Sequence, residues 1–361
     1  MSILHKLNEL GQSVWLDFIS REIIDNGELA LYIKNGISGV TSNPSIFKKA
    51  IADSETYDSE IKILSDSGLT AYDIYEKLAI EDIARAADLL KPIFEACNGA
   101  DGFVSIEANP HLAFDTVGTV EEIIRLNGIL HRPNVMFKVP GTKEGIVAIQ
   151  ELIAKGINVN VTLIFSVNYY IHIAEAYIKG LERLAATGGD VSKVASVASF
   201  FVSRIDNEAD KELSKVSDNT LKGKIAVANA KLAYSKFRAI FKGDRWEKLA
   251  SNGAKVQRVL WASTSTKNPE YSDTLYIDKL IGPDTVNTIP PDTLTAFEDH
   301  GMPEISVTKN LETELSRLDK LEDMGIEIDG ITDKLLAGGV QKFIAAFDSL
   351  IESIESKSAQ A

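Results

Sequence analysis

Lys138 sits inside the apolar run VMFKVP (135–140), just ahead of a Pro-Gly turn. A lysine there is either a solvated residue on an edge strand or a buried amine kept for chemistry. Other apolar runs of the chain also end in polar side chains: Asp17 in SVWLD, Asn43 in GVTSN, Glu107 in GFVSIE and Thr162 in NVNVTLIF. An amine surrounded by carboxylates and hydroxyls suits covalent carbonyl chemistry. The neutral ε-amine attacks a ketone to form an imine, and the protonated imine is an electron sink for carbon–carbon cleavage. Each residue alone reads more simply as structural. Asn43 before Pro44 shapes a turn, and Lys143, the nearest rival lysine, opens a helix and is solvated.

Eight runs read as strands: 13–17, 39–43, 102–107, 135–140, 158–165, 194–201, 258–264 and 285–290. Helical periodicity fills the gaps, clearly at 76–96, 119–130, 143–156 and 224–241, with Thr119 as a start signal and Gly156 as a stop. Alternating strands and helices imply βαβ units. Eight of them predict an α/β fold, a single (β/α)8 TIM barrel with extra N- and C-terminal helices, as one domain over 1–361. An open doubly wound sheet is the alternative. It loses support because no G-x-G-x-x-G follows an early strand and no G-x-x-x-x-G-K-[ST] occurs. Residues 330–355 read as a closing amphipathic helix and the tail SKSAQA as frayed.

Strand side chains alternate between faces. If Lys138 points into the barrel, Val135, Phe137 and Val139 pack against helices. The same split sends Val104 and Ile106 outward with Ser105 and Glu107 inward, and Val159, Val161 and Leu163 outward with Asn158, Asn160 and Thr162 inward. Asp17, Asn43, Glu107, Lys138 and Thr162 then converge at the C-terminal mouth, where barrel active sites lie. Burying a lysine and two carboxylates costs several kcal/mol each unless paired, so stability alone is a poor reason to gather them.

The composition, 45% hydrophobic and 25% charged over 361 residues, is globular. A net charge of −14 argues against broad nucleic-acid binding. It leaves room for an anionic small substrate held by a local cation cluster. The single cysteine, Cys97, suits a reducing compartment, and no signal peptide or membrane span is expected. A cytoplasmic enzyme is the expectation; the oligomeric state stays open.

The lysine strand, GVTSNPSIF (39–47) and NVNVTLIFS (158–166) resemble transaldolase, a relative of the Schiff-base aldolases. VWLDFISREII (14–24), SFFVSRID (199–206) and LWASTSTKNPEYSD (260–273) are similar to the same family in its longer bacterial branch. The resemblance implies Lys138 as the Schiff-base lysine and Asp17 as the acid/base for the substrate hydroxyl. It implies Glu107 and Thr162 as holders of the catalytic water. Asn43, Asn160 and Ser199 would bind the dihydroxyacetone moiety, and Arg204, assisted by Ser263, the phosphate. A second phosphate-binding arginine of many family members is missing from ASTSTKNP (262–269), where Lys267 is the substitute on offer. Plainer readings make Arg204 a surface partner of Asp206, and Ser199 and Ser263 small core residues.

The implied reaction moves a dihydroxyacetone unit between sugar phosphates in the non-oxidative pentose phosphate pathway. The donor would be sedoheptulose 7-phosphate or fructose 6-phosphate, the acceptor glyceraldehyde 3-phosphate or erythrose 4-phosphate. No metal or organic cofactor is implied. The rivals are an aldolase that releases free dihydroxyacetone, in whose small relatives a tyrosine stands where this chain has Glu107, and a non-catalytic sugar-phosphate-binding barrel.

Overall fold

The computed structural model describes residues 2–217 and 219–360. Eight parallel strands close into a barrel in chain order: β1 Gln12–Leu16, β2 Ile37–Thr41, β3 Phe103–Glu107, β4 Val135–Pro140, β5 Val159–Ile164, β6 Ser196–Phe201, β7 Arg258–Ala262 and β8 Thr285–Ile289. All eight expected strands are present. Several end earlier than expected: Asp17 and Asn43 lie one and two residues past β1 and β2, on the loops that leave the barrel top. Pairing of β1 with β8 in register from Gln12/Thr285 to Leu16/Ile289 completes the ring.

The strands are buried almost throughout, as they must be in a sheet covered by helices outside and filled by side chains inside. Trp15 plugs the lower interior. It is fully buried, and its indole N–H donates to Asp101 at 2.8 Å. Asp101 also accepts from Ser13, and Arg258 joins both, 2.6 Å from the Ser13 hydroxyl and 3.4 Å from the carboxylate. The interior polar residues are therefore divided. A tied network seals the bottom, and a separate set is left at the top.

Local signals explain the helices that matter. After β4, Gly141 N–H donates to Thr162 O at 2.8 Å, and the Thr142 hydroxyl caps helix Lys143–Ala154 through Gly145 N–H at 2.9 Å. That helix stops at Gly156, whose φ of +78° suits glycine. The helix expected to start at Thr119 starts at Thr116. Asp115 is the stronger cap, accepting from Gly118 N–H at 3.0 Å, while the Thr119 hydroxyl is spent on Leu112 O.

A short helix, Ile3–Glu9, precedes β1, and helix Ile328–Gln360 ends the described chain. The latter packs on helices Pro44–Phe47, Ala71–Ala96 and Ser203–Lys215 and crosses the top of the barrel. The tail expected to fray continues this helix to Gln360, held by Lys357 on Ser54 O at 2.6 Å and on Asp58 at 2.5 Å; Ala361 lies outside the described residues. The helix also corrects Leu163. That residue does not continue the outward series. It takes φ +57° where the β5/β6 register shifts, and lies against Gly339 of the closing helix.

Gly39 of β2 gives the plug its space: a Cβ there would lie 2.5 Å from the Trp15 ring. Trp15 is hydrogen-bonded and enclosed, so it cannot yield cheaply. Gly39→Ala should destabilise the protein by about 1–3 kcal/mol in urea unfolding. A change within about 0.5 kcal/mol would contradict this packing of the barrel floor.

Candidate active site

Register places three polar residues side by side. Lys138 pairs with Glu107 on one neighbouring strand and with Asn160 on the other. Val135, Phe137 and Val139 are buried on the alternate face, so β4 holds Lys138 inward by burying its apolar neighbours. Lys138 is 5% exposed. Its Nζ lies 3.2 Å from Glu107 Oε2, donates to Ser42 O at 2.9 Å, and sits 5.9 Å from the centre of the Phe343 ring. Lys143, the rival, is exposed on an outer helix beside a groove that includes His172 and Glu175.

Both Glu107 oxygens and the Thr162 hydroxyl are buried without an aligned hydrogen bond among the described residues, although Lys138 is within ion-pair range of Glu107. Burial pushes the Glu107 carboxyl up; the nearby Lys138 opposes this and Asp17 adds to it. Asp17 is also pushed up by burial, against a hydrogen bond from Thr41 at 2.7 Å and the charges of Lys138 and Arg204. Thr41 is itself 2.6 Å from Thr288, so β1, β2 and β8 together aim Asp17 at the cavity. A carboxyl made less acidic by burial is a better proton acceptor than an exposed one, which suits both groups to acid–base work.

The mouth encloses a cavity of about 380 Å³. Its charged lining is Lys138, Arg204, Lys267 and Lys342 against Asp17 alone. A chain of net charge −14 thus presents an excess of cations here. Arg204 lies over the Phe201 ring at 5.0 Å and has no ion pair among the described residues. Burial pulls its guanidinium down, and Asp17 pushes it back up; a guanidinium stays charged regardless. It is not the partner of Asp206, which is buried and accepts from Ala226 N–H at 2.7 Å and from Tyr276 at 2.9 Å. Ser263, at φ +57°, lies 3.0 Å from the Ser203 hydroxyl on the cavity wall, and Lys267 is exposed at the rim.

Asn43 has two uses. Its Oδ1 caps helix Pro44–Phe47 through Ile46 N–H at 3.0 Å, and the side chain also lines the cavity. Asn160 is fully buried. It donates to Ser105 at 3.0 Å and accepts from Ser199 at 2.6 Å, and only Ser199 of the three lines the mouth. Asn158, read on the same face, lies at the opposite end of β5 and brackets Pro133 O and Ala195 N–H. Among the described residues no cluster of three His, Cys, Asp or Glu side chains could hold a metal.

Sequence reasoning missed Lys342 and Phe343, which the closing helix delivers to the mouth, and Ser203 and Asn207 beside Arg204. Helical spacing after SFFVSRID could have found Asn207, three residues beyond Arg204. Nothing local signals Lys342, because its place depends on how a distant helix docks.

Asp206 supplies a test of this electrostatic arrangement. Burial lifts its carboxyl from the usual 3.8 to about 7, against its hydrogen bonds. A carboxyl raised on folding adds stability in full below the unfolded value and loses it as the pH rises through the folded one. Wild type should lose roughly 2–3 kcal/mol more stability than Asp206→Asn between about pH 5 and pH 8 in urea titrations. Parallel pH profiles would contradict the burial of Asp206 away from Arg204.

The transaldolase/fructose-6-phosphate aldolase family model matches residues 14–354. A transaldolase 2 of Nostoc sp. strain PCC 7120 is 48% identical, covering 99% of this chain and 98% of the relative. A transaldolase of Trichodesmium erythraeum is 49% identical over 98% and 97%, and a transaldolase 1 of Streptomyces avermitilis 45% over 97% and 94%. The chain belongs to the transaldolase/fructose-6-phosphate aldolase family.

Proposed function

We propose that the protein is a transaldolase that carries a dihydroxyacetone unit on Lys138. The observation that carries this reading is a buried lysine, 3.2 Å from a buried carboxylate, facing a cavity rimmed with cations. The donor is fructose 6-phosphate or sedoheptulose 7-phosphate, and the acceptor erythrose 4-phosphate or glyceraldehyde 3-phosphate, in the non-oxidative pentose phosphate pathway. A cytoplasmic location accords with the free cysteine Cys97.

The amine must shed a proton before it attacks the ketone carbon, and Glu107 is the neighbouring base. Glu107 then returns the proton to the carbinolamine oxygen, which leaves as water, with Thr162 as the second holder of that water. Asp17 removes the proton from the hydroxyl next to the scissile bond. The carbon–carbon electrons flow into the imine, and an aldose phosphate leaves. The enamine on Lys138 attacks the aldehyde of the acceptor, Asp17 gives its proton to the new hydroxyl, and water hydrolyses the imine. Holding both partners in one enclosed mouth favours transfer over release.

Arg204, Lys267 and Lys342 bind the phosphate. The uncapped start of helix Ser203–Lys215 lies at the same end of the cavity and adds partial positive charge. Ser263 and Ser203 supply hydroxyls there. The amide nitrogen of Asn43 and the hydroxyl of Ser199 bind dihydroxyacetone. Asn160 directs Ser199, and contacts the substrate by exchanging one of its two bonds.

With fructose 6-phosphate alone, little free dihydroxyacetone should form. Adding erythrose 4-phosphate should give rapid sedoheptulose 7-phosphate production, followed by mass spectrometry. Asp17→Asn should lower kcat by about 10²–10⁴-fold with a small change in KM. Free dihydroxyacetone at the same rate without acceptor would make the enzyme an aldolase instead.

A further inference from the structure

Glu107 does not line the mouth. It is the inner end of a second, smaller cavity on the opposite side, bounded by Tyr72, Tyr75, Ala79, Asn109, Glu122 and Phe347. This rear cavity lies among helices Ala71–Ala96, Thr116–Leu130 and Ile328–Gln360. Its volume, about 20 Å³, is close to the least space that admits one water molecule. Tyr75, Ala79 and Phe347 are buried, while Tyr72, Glu76, Asn109 and Glu122 reach partial exposure. Glu107 therefore stands between two spaces: it touches Lys138 at the front and borders a small cavity behind, where Tyr72, Tyr75, Glu76, Asn109 and Glu122 stand among apolar side chains.

We propose that the rear cavity is the path by which water and its proton reach and leave Glu107 while sugar phosphate fills the mouth, with Tyr75 and Glu122 as positioning residues. The inference rests on the Schiff-base reading above. Each imine formed at Lys138 releases one water: the carbinolamine oxygen takes a proton from Glu107 and departs as the C–O bond breaks. Each hydrolysis consumes one water, which loses a proton to Glu107 as the new C–O bond forms. Both events occur beneath a sugar whose phosphate end is held at the rim. Water that could leave only through the mouth would have to pass the substrate.

The residues of the passage suit a relay. Glu122 is fixed by Asn109 N–H at 2.9 Å, and Asn109 lies only two residues past Glu107. Burial raises the carboxyls of both Glu107 and Glu122, against Lys138 at the first and the Asn109 N–H and Arg125 at the second. The Tyr75 hydroxyl is pushed up by burial and then by the charges of Tyr72, Glu107, Glu122 and Glu76, which keeps it a neutral donor and acceptor. At the outer end Glu76 is neutralised by a two-point contact with Arg125, at 2.8 and 2.5 Å. The Tyr75 ring is wedged edge-on between Phe347 and Phe47, with centroids 5.3 and 5.9 Å away, so its position is fixed.

Oxygen exchange tests the path. Fructose 6-phosphate is incubated without acceptor in ¹⁸O-enriched water, and label at C2 is followed by mass spectrometry, with the protein-free rate subtracted. Wild type should exchange, and Lys138→Ala should not. If the rear passage is narrowed, as by Ala79→Val, or its proton relay is cut, as by Tyr75→Phe or Glu122→Gln, the released water is held and returns to the same carbon, so label enters slowly although imines still form. Ala79→Val, Tyr75→Phe and Glu122→Gln should each lower exchange by about tenfold, with KM for fructose 6-phosphate within twofold and an unchanged circular dichroism spectrum. Tyr75→Phe and Glu122→Gln keep side-chain shape and decide the matter if Ala79→Val does not fold. Unchanged exchange in the folded variants, or a loss of exchange matched by an equal rise in KM, would overturn the rear path. No Lys138-dependent exchange in wild type would overturn the Schiff-base reading and the path with it.

Discussion

The site depends on one buried ion pair, Lys138 with Glu107, placed on adjacent strands by the β3/β4 register. Both side chains are more than nine-tenths buried, and neither charge is cheap to keep there. The pair is held by what surrounds it. Ser42 O accepts from the amine, and the apolar residues Val104, Ile106, Val135, Phe137 and Val139 bury the other face of the two strands. A one-residue slip of β4 would point Phe137 into the mouth and Lys138 at the helices, so the packing of the outer layer fixes the chemistry of the inner one.

Around this pair the barrel sorts its polar groups by height. Ser13, Asp101 and Arg258 satisfy one another at the bottom beneath Trp15. At the top, among the described residues, the Thr162 hydroxyl and the Glu107 oxygens are buried without an aligned hydrogen bond, Glu107 having only the Lys138 ion pair, and Arg204 has no ion pair. Satisfied polar groups stabilise a core; unsatisfied ones at a cavity are groups reserved for another molecule. The cations gathered there also run against the overall charge of the chain, which concentrates an attraction for anions at one place on an acidic protein.

Strand parity made much of this legible. Because the side-chain period is two, placing Lys138 inward also placed Glu107, Asn160 and Thr162 on the inner face, and all eight strands are where apolar runs predicted them. Local rules failed where a longer-range contact outweighed them. Leu163 breaks the alternation because β5 shifts register and the closing helix lies against it. Thr119 lost the helix start to Asp115. Asn43 reads as either a turn former or a ligand-facing amide; its oxygen caps a helix, and its side chain lines the mouth. Lys342 and Phe343 were invisible, because a helix nearly two hundred residues from the lysine strand brings them to it.

The most direct measurement is borohydride reduction in the presence of fructose 6-phosphate, followed by peptide mass analysis of wild type and Lys138→Ala. The account predicts a stable dihydroxyacetone-sized adduct on the Lys138 peptide of wild type and none in the folded variant. An adduct on another lysine, or none with either fructose 6-phosphate or sedoheptulose 7-phosphate, would contradict it and leave Lys138 a structural partner of Glu107.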